Sequence, residues 1–116
     1  MKRIFKLRVW DGKKMVFGPT EDNPNASWVL AFASAMEFPV MQYTELNDKN
    51  DIEIYEGDIV SHQNGIQEVL YDNNTASFQM SLNSFVLDQE VCDYDSVEVI
   101  GNIYENSNLT EGNNAN

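Results

Sequence analysis

His62 and Cys92 are the only histidine and the only cysteine of the chain, so the side chains best suited to act as base, nucleophile or soft metal ligand come down to one of each. Nucleophilic catalysis by a thiol or hydroxyl needs a base within hydrogen-bond reach. His62 stands mid-strand beside Asn64-Gly65, where a half-exposed strand residue is the simpler reading. One histidine and one cysteine cannot complete a tetrahedral zinc shell without carboxylates. The run Asp48-Lys49-Asn50-Asp51-Ile52-Glu53 starts like a calcium loop, but an EF-hand wants Asp or Asn at its fifth position and Gly at its sixth, and Ile52 and Glu53 stand there instead. Glu53, Glu56 and Asp58 could gather a weakly held cation, although acidic runs are ordinarily solvated faces. The six glycines fall into neither a GxGxxG nor a Walker spacing, and no pair of acids is singled out for general acid and base work. The sequence therefore leads us to expect no metal, no cofactor and no enzyme.

Charge is more informative. The formal net charge is −12, yet six of the seven basic residues (Lys2, Arg3, Lys6, Arg8, Lys13 and Lys14) fall in the first fourteen, which leaves +5 there and −17 over the remainder. Such a segment docks most simply on the acidic body of its own fold or of a neighbouring copy, relieving self-repulsion. The sharper alternative makes the acidic body a decoy, a nucleic-acid mimic that occupies a nucleic-acid-binding protein, since a polyanion attracts what DNA attracts. Lys6 and Arg8 on the basic strand, with Glu53 and Glu56 on the acidic side, form the candidate interaction surface. Trp10, Trp28, Tyr43, Tyr55, Tyr71, Phe78 and Tyr104 could stack on bases, but the C-terminal half lacks the cations that should surround such a platform. Direct nucleic-acid binding is therefore not expected; a protein partner is, alongside self-association through exposed strand edges.

The elements that must position these residues are mostly strands. Phe5, Leu7 and Val9 alternate with Lys6 and Arg8, and Asp11-Gly12 is a turn signal before Met15-Val16-Phe17, which predicts a β-hairpin. Residues 18–27 carry loop chemistry. Trp28 to Met36 is open between an alanine-rich helix and a buried strand stopped by Pro39. Val40 to Tyr43 reads as a short strand, and the polar stretch Thr44 to Asp51 as a boundary between lobes. Asn64-Gly65 joins two further strands, 59–63 and 66–71, because both residues tolerate positive φ. Ala76, Phe78, Met80 and Leu82 alternate with polar neighbours as a strand with one wet face. In the last strand, 96–104, Gly101 marks a bulge or sharp bend. The expected architecture is mainly β, one domain over 1–104 with an N-terminal β lobe (1–44) joined to a small SH3-like C-terminal barrel (52–104), followed by a disordered tail at 105–116.

Three stretches carry a family resemblance: Ile4 to Asp11 with Lys14-Met15, then Met41 to Val60, and finally Val97 to Asn106. Together they resemble the YopX family of bacteriophages and prophages of Gram-positive bacteria, and they bracket nearly the whole chain. The resemblance implies a β-rich phage protein of unknown function expressed in the host, with no catalytic residue to carry over. Where the family usually reads Tyr-Thr-Gly and Lys-Asn-Gly, this chain has Glu45 and Asp51; if those glycines adopt positive φ, the backbone here is altered or strained, with Asp51 the easier replacement. In Tyr55-Glu56-Gly57-Asp58, the structural motif of the middle stretch, Gly57 is expected at an unusual backbone angle, Asp58 on nearby amides and Tyr55 as an aromatic anchor. The N-terminus runs into no apolar stretch of leader or membrane-spanning length, so a cytoplasmic location without membrane attachment is expected.

Overall fold

Alternation in Leu7-Arg8-Val9 carries directly into the first hairpin. Strand β1 (Leu7–Trp10) pairs antiparallel with β2 (Met15–Gly18). Asp11 Oδ1 accepts the backbone N–H groups of Lys13 and Lys14 at 2.8 Å each, and Gly12 takes φ +97°. The short carboxylate folds the chain back while glycine supplies the left-handed residue. This computed structural model describes residues 6–18, 27–62, 65–81, 86–94, 96–106 and 108–109. Phe5, the expected loop over 19–26, Asn64, Leu82 and the tail from 110 onward lie outside them.

The stretch left open in the sequence is a helix, α1 (Ser27–Met36). Its alanines favour helix, and its end is well defined. The Phe38 N–H donates to the Ala33 carbonyl at 2.9 Å and the Glu37 N–H to the Ser34 carbonyl at 3.4 Å, with Glu37 itself at φ +59°. This is a Schellman stop built without glycine. Ala33 packs with Leu7 and Val9 in one buried cluster, flanked by Phe32 and Phe38, whose rings meet edge to face at 5.6 Å.

Strand β3 (Val40–Asn47) is longer than its hydropathy suggests. Its first half pairs with β1 and its second half with β4 (Glu53–Tyr55), giving a sheet in the order β2-β1-β3-β4. The polar stretch expected as a boundary is thus half strand, and the sheets divide later, at the Glu56-Gly57 turn. Between the pairs Tyr43↔Tyr55 and Asn47↔Glu53 the register shifts. Thr44 Oγ1 donates to the Ile54 carbonyl at 2.8 Å and accepts the Leu46 N–H at 3.1 Å, and Glu45 takes φ +68° in the resulting bulge. Asp51 lies at φ +65°. Both positions where the family's glycines are expected therefore keep the left-handed backbone, and the strain falls on the side chains present. Glu45→Gly is expected to raise stability by about 1 kcal/mol, read as a higher urea midpoint at unchanged slope. Asp51→Gly should gain less, because Asp tolerates this region.

The second sheet comprises β5 (Asp58–His62), β6 (Gly65–Asp72), β7 (Ser77–Met80) and β8 (Glu98–Asn102), in the order β7-β6-β5-β8. Gly65 (φ +115°) pairs with His62 across the predicted hairpin. Ile59 faces Gly101 and Val60 faces Val99, so Ile100 is the extra residue of a bulge beside Gly101, as the glycine suggested. Among the described residues β7 and β8 form the two edges and do not pair with each other, so this sheet is open and not a closed barrel. One core cluster joins Ile54, Val60, Val69, Met80, Leu87, Cys92 and Val97. It is covered in part by α2 (Gln89–Tyr94), a short helix that hydropathy did not signal, capped by Asp88 Oδ1 on the Val91 N–H at 2.8 Å. After β8 the chain stays hydrogen-bonded past residue 104. Asn102 Oδ1 accepts the N–H groups of Tyr104 and Glu105, and Asn106 Oδ1 accepts that of Asn102.

Candidate functional site

The motif Tyr55-Glu56-Gly57-Asp58 is the hinge between the sheets, and its backbone is bonded to both. The Glu56 N–H donates to the Gln42 carbonyl at 2.9 Å, the Gly57 N–H to the Val69 carbonyl at 2.9 Å, and the Gly57 carbonyl accepts the Ile103 N–H at 3.0 Å. Gly57 has φ +87°, and a Cβ there would stand 3.1 Å from Met41 Sδ. Both facts call for glycine. Asp58 Oδ2 accepts the Tyr55 N–H at 2.7 Å, closing the turn.

Into this hinge β1 sends its polar face. Since Leu7 and Val9 lie under α1, Arg8 points to the opposite side of the sheet, where its Nη2 meets Asp58 Oδ1 at 2.7 Å and donates to the Glu56 carbonyl at 3.2 Å. Its guanidinium carbon stands 4.7 Å from the centroid of the Tyr55 ring, close enough for a cation–π contact. Arg8 is 5% exposed and Asp58 2%, so the charged face of β1 is covered at this position. Loss of solvation, only partly offset by Arg8, holds the Asp58 carboxyl above its ordinary value. Lys6, one strand pair further out, meets Glu53 Oε2 and lies 5.4 Å above the Tyr43 ring. Lys6, Arg8, Glu53 and Glu56 are therefore gathered in one place, largely in contact with one another, and the basic strand docks on the acidic body of its own fold.

A cleft of about 370 Å³ opens over this ion pair, within the size range of small-ligand sites. Arg8 and Asp58 line it together with the apolar Phe17, Tyr55 and Ile52, and the acids Asp51 and Glu53 stand beside them. Phe17 contacts Tyr55 edge to face at 5.6 Å. Burial first, and the nearby Glu53 second, push the Tyr55 hydroxyl well above its ordinary range, which keeps it a neutral donor. Among the described residues Arg8 Nε has no hydrogen-bond partner. The cleft thus offers an aromatic and aliphatic wall with acidic neighbours over a buried ion pair; among the described residues that line it there is no nucleophile with a base.

The residues singled out for chemistry lie elsewhere. His62, expected half-exposed, is 7% exposed; two residues along β5 from Val60, it falls on the face of the strand that carries the second core. Cys92 is fully buried in the second core, where burial, reinforced by Asp93, Asp88 and Asp48, pushes its thiol up to about 12. A thiol held so far from its thiolate is a poor nucleophile. In the calcium-like run, Asp48 spends its carboxylate on backbone: Oδ1 accepts the N–H groups of Asn50 at 2.8 Å and Ile52 at 3.0 Å, and Oδ2 that of Val99 at 2.9 Å. Among the described residues no group of three His, Cys, Asp or Glu side chains is placed to hold a metal ion, and no helix is long and apolar enough to cross a membrane. Sequence reasoning missed the structural role of Asp48; the run Asp-Lys-Asn after a strand is turn chemistry and was the signal available.

Comparisons with known proteins agree with this picture of the fold. The family model described as YopX protein matches residues 6–111. Among solved structures, that of protein EF1440 from Enterococcus faecalis is similar over 93% of this chain and 99% of its own, with a TM-score of 0.68 and 23% sequence identity. At that identity the likeness is one of fold. No curated protein matches the chain.

Proposed function

This chain belongs to the YopX family, and from that premise we propose that it is a non-enzymatic interaction or assembly module, encoded by a phage or prophage and working in the cytoplasm of the bacterial host. The observation that carries the reading is the Arg8–Asp58 pair, buried at 2.7 Å in the seam between the sheets. The charged groups at the floor of the larger cleft are committed to holding the fold, and Cys92 and His62 are both withdrawn from the surface. What remains accessible is recognition surface: exposed acids, and apolar side chains such as Phe17, Leu70 and Tyr71.

A second reading, the acidic decoy, draws support from the exposed acids of the α2 region. Asp88, Glu90 and Asp93 are exposed there, and Gln89 Nε2 donates to the Asn47 carbonyl at 2.9 Å, which ties the helix to the strand that carries Glu45. One experiment tests both readings: the tagged full chain is used as bait in a lysate of a Gram-positive host at low and high salt, with its own mass followed by light scattering. The module reading expects a defined protein partner or homo-oligomer that survives high salt. Capture of a DNA- or RNA-binding protein that salt releases would transfer the conclusion to the decoy. A monomer that retains nothing at either salt would overturn both.

A further inference from the structure

The hinge that closes the large cleft also lines a second, smaller cavity of about 190 Å³. Its apolar wall includes Val40, Leu70, Tyr71 and Tyr104. The first three are 37%, 40% and 42% exposed, and they come from both sheets, which meet here without burying them. Tyr104 is held upright by stacking on Trp10, with ring centroids 5.7 Å apart. Two carboxylates, Glu56 and Glu68, share the same cavity, and none of the residues lining it is basic. Among the described residues neither carboxylate has an ion-pair partner, since the pairs formed are Lys6–Glu53, Arg8–Asp58 and Lys49–Glu98. Partial burial, and then the Glu56 charge, raise the Glu68 carboxyl above its ordinary value. Among the described residues this groove joins two like charges that repel one another to an apolar wall that is partly exposed, and supplies no basic side chain to either.

Resting on the interaction-module reading, we propose that this groove receives a lysine or arginine side chain from an otherwise apolar segment of a partner protein. Long basic side chains match the chemistry present, because their methylene stem covers apolar and aromatic surface while the cationic head reaches the carboxylates at its end. The tyrosines add a face over which a guanidinium can lie. In a chain of net charge −12, the summed field draws a basic segment toward the surface, and the paired carboxylates fix where its charge ends.

The test uses the full ¹⁵N-labelled chain titrated with the blocked peptide acetyl-Leu-Arg-Leu-amide, and separately with acetyl-Leu-Gln-Leu-amide, by amide NMR. The arginine peptide is expected to shift the amides of Val40, Gly57, Glu68 to Tyr71 and Tyr104, with a dissociation constant on the order of millimolar for so short a probe. The glutamine peptide should bind roughly tenfold more weakly. Glu68→Gln should weaken the arginine peptide by a similar factor while leaving the spectrum folded, because the hydrogen bonds of Glu68 to Ser81 are made by its backbone. Equal shifts from both peptides, shifts mapping to α2 or to the Asp51–Glu53 rim, or an unchanged affinity in Glu68→Gln would each overturn the proposal. So would a self-associated chain in which Lys13→Glu with Lys14→Glu frees the groove, since the occupant would then be a second copy. A partner captured by the bait with no arginine peptide in this groove would remove the present assignment and leave the module reading standing; specific peptide binding by a chain that captures nothing would do the reverse.

Discussion

Arg8→Met is expected to lower the unfolding free energy by about 3–5 kcal/mol at neutral pH, because it strands the charge of Asp58, which is only 2% exposed. Methionine keeps the apolar stem and gives up the guanidinium, with its contacts to Asp58, the Glu56 carbonyl and the Tyr55 ring. Asp58 would still accept the Tyr55 N–H at 2.7 Å, which is too little to solvate a carboxylate whose other oxygen has lost the guanidinium. Adding Asp58→Asn removes the stranded charge and retains an acceptor for Tyr55, so the double variant should recover much of the loss. The pH dependence follows from the same pair. Burial already holds the Asp58 carboxyl above its ordinary value of 3.8 against the pull of Arg8, and without Arg8 the shift grows. A carboxyl raised in the folded state favours folding in its protonated form; the contribution is complete below the unfolded value and is lost as pH rises through the folded one. Urea titrations across the acid range should therefore find the gap between Arg8→Met and the parent smallest at low pH and widest at neutrality. A gap that does not change with pH, or a double variant no better than the single, would show that the pair is not what holds the seam.

Much of this fold is legible in the chain because local chemistry and hydropathy agree. Leu7 and Val9 alternate with charge and do form a one-sided strand; Asp11-Gly12 does turn it; Gly101 does sit at a bulge. The misreadings have a common physical origin. Hydropathy marks a face as buried only when the burial is apolar, so charge could suggest that Arg8 docks on acids but not that its partner is Asp58, fifty positions away. His62 is a polar residue on the core face of β5, beside Val60, and its type does not announce burial. The extent of β3 and the end of α1 are obscured by the missing glycines, since Glu45 and Glu37 adopt left-handed backbone that sequence rules assign to Gly. Helix α2 is too short for a period to develop and announces itself only through the cap at Asp88. The four candidate contact residues could be named from charge, but the two cavities that flank their hinge could not. A cavity is a property of how the sheets meet, and nothing in a linear pattern reports it.

Asp48→Ala should cost about 4 kcal/mol, more than an acid in a run of polar residues would suggest, because three backbone donors lose a charged acceptor at once. Asp48 is 4% exposed, its own N–H donates to the Ile52 carbonyl at 2.8 Å, and the neighbouring Lys49 N–H donates to the Val97 carbonyl at 3.0 Å. The loop after β3 is thus fastened to β8 by side chain and main chain together. Alanine would leave the N–H groups of Asn50, Ile52 and Val99 without their acceptor; asparagine retains one acceptor oxygen and should cost roughly half as much. Hydrogen exchange distinguishes this from general weakening: the amides of Ile52 and Val99 should lose protection in Asp48→Ala before those of the β5–β6 ladder do. A loss under about 1 kcal/mol, or uniform loss of protection, would refute the assignment. The consequence reaches the cleft over Arg8. Ile52 and Val99 both line it, and Asp48 binds the N–H group of each, so one carboxylate sets the separation between the loop from β3 to β4 and strand β8. If the cleft is a recognition surface, Asp48 governs its shape without lining it, and its replacement should weaken whatever binds there by more than the lost stability alone would require.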